Sequence, residues 1–288
     1  MFLLEFMHGW ANTLIARATF IPLELVSDNE KQGWASRLRG VMFLGFYFAG
    51  ITVANRLMLI FGINIKPLLI FDCRSIASSD NLALVVLGVA LLPLVPVLAV
   101  DFIAYWFHRL QHAVPLLWRF HSVHHAIEEL NVVNSSHHIT EGIFRLAFVT
   151  VPMSLVQFQG LPDIITSTII PIFAAVLLTF THVNSRISFG PLNYVVVRPL
   201  YHRIHHSMNP LHHNKNFCAL FPIWDLLFGT AHFPTRDERI KTGLPDKCEA
   251  KTIGQYLFAL RSREKTVASE RPETVRGQKV GIGRLVAD

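Results

Sequence analysis

Residues 101–125 read Asp101-Phe-Ile-Ala-Tyr105-Trp-Phe-His108-Arg-Leu-Gln-His112-Ala-Val-Pro115-Leu-Leu-Trp118-Arg-Phe-His121-Ser-Val-His124-His125. Two histidine runs stand here, spaced HxxxH and HxxHH. A third, His202-Arg-Ile-His205-His206, repeats the HxxHH spacing further along. On a helix, residues three and four apart share a face, so each run points two or three imidazoles at one place. Neutral imidazole is the ligand that suits iron, zinc and copper. Eight imidazoles exceed what one tetrahedral zinc takes, so the count fits two metal ions better than one.

Asp101, Tyr105, His108 and His112 follow at spacings of four, three and four, and so share a helical face. Pro115 is expected to break the helix between the first two runs. Asp101 is expected to accept the free N–H of a ligand imidazole and fix its ring; the alternative is that Asp101 and Tyr105 are ordinary interfacial polar residues. Beyond these runs, His138 and His182 are candidate ninth and tenth ligands. His137, adjacent to His138, competes with it. Glu141 is either a supporting carboxylate or an anion at a helix start. His212, His213, His8 and His232 read as ordinary polar side chains.

The surrounding chain is apolar. Of 288 residues, 51% are hydrophobic and 16% charged, against about a quarter charged in a soluble domain. Residues 82–100 and 164–181 are uncharged and long enough to cross roughly 30 Å of hydrocarbon, and 41–55 and 146–159 are shorter runs of the same kind. The expected fold is all-α: about four spans arranged as helical hairpins, with a helical cap on the cytosolic side carrying the histidine-rich dimetal site. The 82–100 span is expected to continue as one long helix through His112. Residues 1–40 are an apolar or interfacial segment without a cleavable signal pattern, 41–230 the membrane-embedded catalytic domain, and 231–288 a polar basic cytosolic tail.

A hairpin over 143–181, turned at Gly160-Leu-Pro162-Asp163, returns the chain to the side it left. All three histidine runs then face one compartment. Arginines and the basic tail share that side, which the positive-inside rule makes cytoplasmic. The formal charge of +6 is therefore a membrane-surface feature and not a nucleic-acid signal. Three widely spaced cysteines, with no CxxC, exclude a cysteine-based cluster.

The patterns Asp101-x-x-x-Tyr-x-x-His108-Arg-x-x-His112, Leu-Trp118-x-x-His121-x-x-His124-His125 and Arg198-Pro-x-x-His202-Arg-x-x-His205-His206-Ser207 resemble the fatty acid hydroxylase (sterol desaturase) superfamily. So do Asn214-Lys-Asn216-Phe217 and Trp224-Asp225-x-x-Phe228-Gly-Thr230. The resemblance runs over roughly 82–230. It implies an integral-membrane, non-haem di-iron oxygenase that hydroxylates or desaturates a lipid, using O₂ and electrons from a separate reductase, ferredoxin or cytochrome. Zinc can replace iron on isolation. Asn184 and Asp225 join Asp101, Tyr105 and Glu141 as candidate supports of the ligands. Where the family commonly has Arg-x-His-Pro-x-Glu, this chain has Ser136-His137-His138-Ile139-Thr140-Glu141; Asn214 and Cys218 stand where aspartate and glycine are frequent. The competing class is a membrane metal transporter, which would need ligands near the bilayer midplane on broken helices. The long apolar runs contain no histidine, which argues against it.

Overall fold

The computed structural model describes residues 2–259 except 28, 63–64, 73, 75–79, 161–163 and 236–237. The far end of the expected tail (260–288), the turn at 161–163 and Cys73 lie outside the described residues. The chain is mostly helical. An N-terminal helix α1 (Phe2–Ala18) and a short α2 (Ile21–Leu25) lead to α3 (Trp34–Ile60). Among the described residues, α3 is the one helix long and apolar enough to cross a membrane by length and composition.

The single helix expected from residue 82 through His112 is two, α4 (Leu82–Leu91) and α5 (Leu94–Ala113). Pro93 and Pro96 each lack the N–H that a continuous helix would use, so the ladder is interrupted where one helix would have to pass into the next. α6 (Pro115–His125) follows at once, with Pro115 at its first turn, where no donor is needed. The second hairpin is less regular still. α7 (Glu141–Arg145) runs into a π-turn (Leu146–Thr150), a four-residue α8 (Val151–Ser154) and a strand β2 (Val156–Gln159). A second π-turn (Ile165–Ile169) opens α9 (Ile170–Phe180). Pro152 and Pro171 follow these π-turns. A proline ring clashes with the carbonyl four residues back; here those carbonyls belong to Phe148 and Ser167, inside the widened turns.

The expectation of an all-α chain needs a correction. β2 pairs in parallel with β1 (Leu69–Asp72), with Leu69 opposite Val156 and Asp72 opposite Gln159. Phe71 stacks on Phe158 at 5.3 Å. The β-branched and aromatic residues of these segments fit a pleated ribbon better than the hairpin helices expected there. The remaining helices are short: α10 (Pro199–His205), α11 (Ile223–Leu227) and α12 (Ile253–Leu257).

Two polar anchors hold this frame. Glu24 of α2 is buried; one oxygen accepts the backbone N–H of Val132 and of Asn184, each at 2.8 Å, and the other takes Arg37 of α3 at 2.5 Å. Arg203 of α10 is fully buried, donating to Leu130 O at 3.0 Å and pairing with Glu30. Asn184, a candidate support of the metal ligands, belongs to this frame: it binds Glu24, Asn29 and the carbonyl of Glu30. Glycines then let backbones touch. A Cβ on Gly50 of α3 would stand 2.0 Å from Ile139 O, and one on Gly40 would stand 2.5 Å from Val133 O. The loop over 131–140 thus lies directly on α3, and it carries His137. Gly50→Ala should lower stability by about 1–3 kcal/mol, the cost of overpacking. Thermal unfolding in detergent reads this out, and an unchanged midpoint would mean the loop does not bear on α3.

Candidate metal centre

The three histidine runs converge. Ligand nitrogens of His108, His112, His121, His125 and His205 lie within 4.8 Å of one another, as do those of His124, His182, His202 and His206. Helix geometry explains the sorting. In each HxxHH run, positions i and i+4 turn to one cluster and position i+3 to the other. His121 and His125 join the first cluster and His124 the second; His202 and His206 join the second and His205 the first. The two runs reach across to each other's cluster, so neither can form without both.

Backbone carbonyls set the tautomers. His108 Nδ1–H donates to Phe217 O at 2.8 Å, His205 Nδ1–H to Lys215 O at 2.8 Å and His182 Nδ1–H to Leu178 O at 3.0 Å. The Nε2 atoms of all three are then bare lone pairs. Facing nitrogens stand close: His108–His121, His112–His125 and His121–His125 at 3.1 Å, and His182–His202 at 3.1 Å, His202–His206 at 3.2 Å and His124–His182 at 3.4 Å. Hydrogen bonds cannot satisfy them all. If His121 Nε2–H donates to His108, it cannot also accept from His125. His205 Nε2 is buried with no hydrogen-bond partner among the described residues. A shared cation satisfies every lone pair at once. Two nitrogens bound to one metal at about 2.1 Å stand roughly 3.0 Å apart on an octahedral edge and 3.4 Å on a tetrahedral one, which is the spacing present. The donor set therefore fits two metal ions.

His137 and not His138 approaches the clusters, which corrects the expectation for His138. The His137 ring stacks on His124 at 3.9 Å, and a nitrogen of it lies within 4.8 Å of His121 and Glu141. His138 turns away: its Nδ1 meets Thr140, its Nε2 meets Leu257 O at 3.3 Å, and its ring sits between Phe120 and Tyr256. In an extended loop, adjacent residues point to opposite sides, so only one of the pair can face the metals.

The acidic candidates divide. Glu141 sits beside His137 and His121, its two oxygens accepting from Gln111 Nε2 at 3.0 and 2.9 Å. Asp101 touches no imidazole; it accepts the backbone N–H groups of Leu220 and Phe221. Tyr105 pairs its hydroxyl with Thr230 at 2.9 Å. Asp225 accepts from Phe217 N, Cys218 N, Tyr201 Oη and Thr230 Oγ1. Asp101, Tyr105 and Asp225 therefore act on the loop 217–221, whose Phe217 carbonyl orients His108. Gln111 gave no signal beyond its place between His108 and His112.

Burial, and next the neighbouring imidazoles, hold His121, His125 and His206 well below the ordinary histidine value. Burial, with the Arg145 charge adding to it, lowers His108 to about 4. Burial raises Glu141 to about 7. The signs oppose. Each depressed imidazole leaves the folded state with fewer bound protons than the unfolded chain, so stability falls as pH drops from about 6.5 towards 4. Burial raises Asp101 to about 7 as well, and these two carboxyls contribute in the other sense, losing stability as pH rises from about 4 through 7. The imidazoles outnumber them. The metal-free protein should therefore show a steadily falling melting temperature from pH 6.5 to 4; a flat profile would contradict the neutral cluster. Asp225→Asn should weaken metal retention about tenfold, the usual cost of losing a partner that orients ligands. Equal retention by the variant and the unsubstituted protein in a chelator competition would remove Asp225 from that role.

Fold and site together give a mostly helical chain with one apolar span and two histidine clusters that could hold metal ions. The family model for fatty acid hydroxylase matches residues 93–230, just under half of the chain, and that segment resembles the family. It is 30% identical to an alkylglycerol monooxygenase of Homo sapiens over 150 residues, 51% of this chain and 32% of that protein. It is 30% identical to an ornithine lipid hydroxylase of Rhizobium tropici over 181 residues, 62% of this chain and 50% of that protein. The chain spans about a third to a half of the length of these relatives. No solved structure matches it.

Proposed function

We propose that this chain is an O₂-dependent di-iron oxidoreductase that hydroxylates a membrane lipid. The observation that carries the reading is the sorting of nine imidazoles into five and four, beside a small cavity whose lining mixes imidazoles with apolar side chains. His108, His112, His121, His125 and His205 would hold one iron; His124, His182, His202 and His206, with His137 beside them, the other. Bound iron supplies the redox chemistry with O₂ that attack on an unactivated C–H bond needs and that no side chain provides. Desaturation begins with the same hydrogen abstraction and is the alternative outcome at this centre.

The protein's own part is placement and exclusion of water. A cavity of about 80 Å³ is lined by His108, His121 and His124 together with Ala104, Phe107 and Leu178. A second, apolar groove of about 420 Å³ is lined by Val97, Val100, Ala174 and Leu220 among others. The two volumes are one helical turn apart on α5 (Val100 to Ala104) and on α9 (Ala174 to Leu178), and adjacent at Ala219 and Leu220. An aliphatic chain lying in the groove and reaching the small cavity would bring one of its carbons beside the imidazoles. Arg145 and Glu141 give the small cavity its polar corner, with Gln111 holding the carboxylate.

The relatives' names denote lipids, and the groove suits the aliphatic part of such a substrate. The apolar runs 82–100 and 164–181, with the shorter runs 41–55 and 146–159, form the multi-pass membrane part in this reading, and the 1–40 segment lies in or at the interface. The metal centre faces the cytoplasm, where iron and a separate electron-donor protein are available. Iron-replete protein should carry two irons per chain, and lipid extracts should gain one oxygen atom in mass only when O₂ is present. His124→Ala and His205→Ala should each abolish the gain; turnover surviving either change would refute the ligand assignment. Ala174→Trp should cut hydroxylation at least tenfold while metal content stays unchanged. Full activity in that variant would place the substrate elsewhere.

A further inference from the structure

Three histidine and acid side chains outside the main centre also converge. His212, His232 and Glu238 place ligand atoms within 4.8 Å of one another and share no residue with the nine-imidazole site. His212 is buried, and the other two are half-buried. Each is held from outside the trio. His212 Nδ1 lies 2.9 Å from Ser207 Oγ, which leaves its Nε2 facing Glu238 Oε1 at 3.1 Å. Glu238 Oε2 is occupied by the backbone N–H of Thr235 at 3.1 Å, so Oε1 is the oxygen free to turn inward. The backbone of His232 is gripped on both sides by one side chain: its N–H donates to Asn216 Oδ1 at 2.6 Å and its carbonyl accepts from Asn216 Nδ2 at 2.7 Å. The His212 and His232 rings are 4.9 Å apart.

Two imidazoles and one carboxylate make a three-ligand set that zinc takes with a fourth position left to water. Oriented rings with fixed outer partners are what such sites use. We propose that His212, His232 and Glu238 form a third metal site for one zinc-type divalent cation, separate from the pair between the histidine runs. Its position gives the cation a bracing role. The loop from Ser207 to Phe217 supplies the carbonyls of Lys215 and Phe217 that orient His205 and His108. That loop holds Asn214 and Asn216 in the left-handed region, each at φ +58°, a conformation that costs about 1 kcal/mol or more per residue and persists only under outside restraint. At its start the loop is tied to the segment after Glu238, through Met208 N to Lys241 O at 3.0 Å and Gly243 N to His206 O at 3.1 Å. A cation joining His212 to His232 and Glu238 would close the same loop from its other side.

The test is metal counting on the full chain in detergent, stripped with chelator, reloaded with zinc sulfate and desalted. The unsubstituted protein should hold three zinc ions per chain, and His232→Asn and Glu238→Gln two each. Glu238→Gln keeps an oxygen for the Thr235 N–H and serves as the folding control. Those two variants should also release their remaining zinc to chelator at least threefold faster; equal rates would overturn the bracing role. Equal zinc content in the unsubstituted protein and both variants would overturn the site and leave His212–Glu238 as a side-chain contact only. His124→Ala separates the two assignments. A single zinc that survives His124→Ala and vanishes in His232→Asn would support the third site while refuting the dinuclear reading.

Discussion

Nine imidazoles can be buried side by side only if none of them carries a proton into the space they share. That constraint organises this protein. It is met by giving the protons away: His108, His182 and His205 each spend an Nδ1–H on a backbone carbonyl, of Phe217, Leu178 and Lys215 respectively. The lone pairs that remain point inward, and a cation is the one partner that can take all of them. The rest of the structure serves the three carbonyls. Asp101 and Asp225 hold the loop that presents Phe217, Asn216 fixes the loop that follows Lys215, and the end of α9 delivers Leu178 beside His182.

The same constraint explains why so many charged groups are buried in an apolar chain. Glu24 and Arg203 are costly to desolvate, and each is retained where several backbones must be brought together. Glu24 joins the loop before His137 to the turn after His182 through two backbone N–H groups. Arg203 joins the third histidine run to Leu130 and to the N-terminal segment at Glu30. Apolar side chains cannot do this work, because the groups to be satisfied are backbone donors and acceptors. A break in either anchor would leave a buried charge unpaired as well as freeing a ligand-bearing loop.

Much of the centre was legible in the sequence, because it is local. HxxxH and HxxHH are statements about one helical turn, and α5, α6 and α10 obey them. The division of each HxxHH run between two clusters follows from the same geometry. What was not legible is whatever depends on distant register. Whether His137 or His138 faces inward is decided by how an extended loop lies on Gly40 and Gly50, which local spacing cannot report. Asp101 shares a helical face with His108, yet its partners are backbone groups more than a hundred residues away. The irregular second hairpin was hidden for another reason: an apolar run reads as a helix until Pro152 and Pro171 are asked where their missing hydrogen bonds go. His212 and His232 look ordinary in isolation and meet only because Asn216 ties two loops together.

The claim at the centre is that the imidazoles divide into five and four around two separate cations. Anomalous diffraction from crystals of the iron-loaded protein, recorded at the iron absorption edge, tests this most directly. Two peaks are expected, one within bonding distance of His108, His112, His121, His125 and His205, the other of His124, His182, His202 and His206. A single peak, or two peaks with His124 and His205 on the same iron, would contradict it.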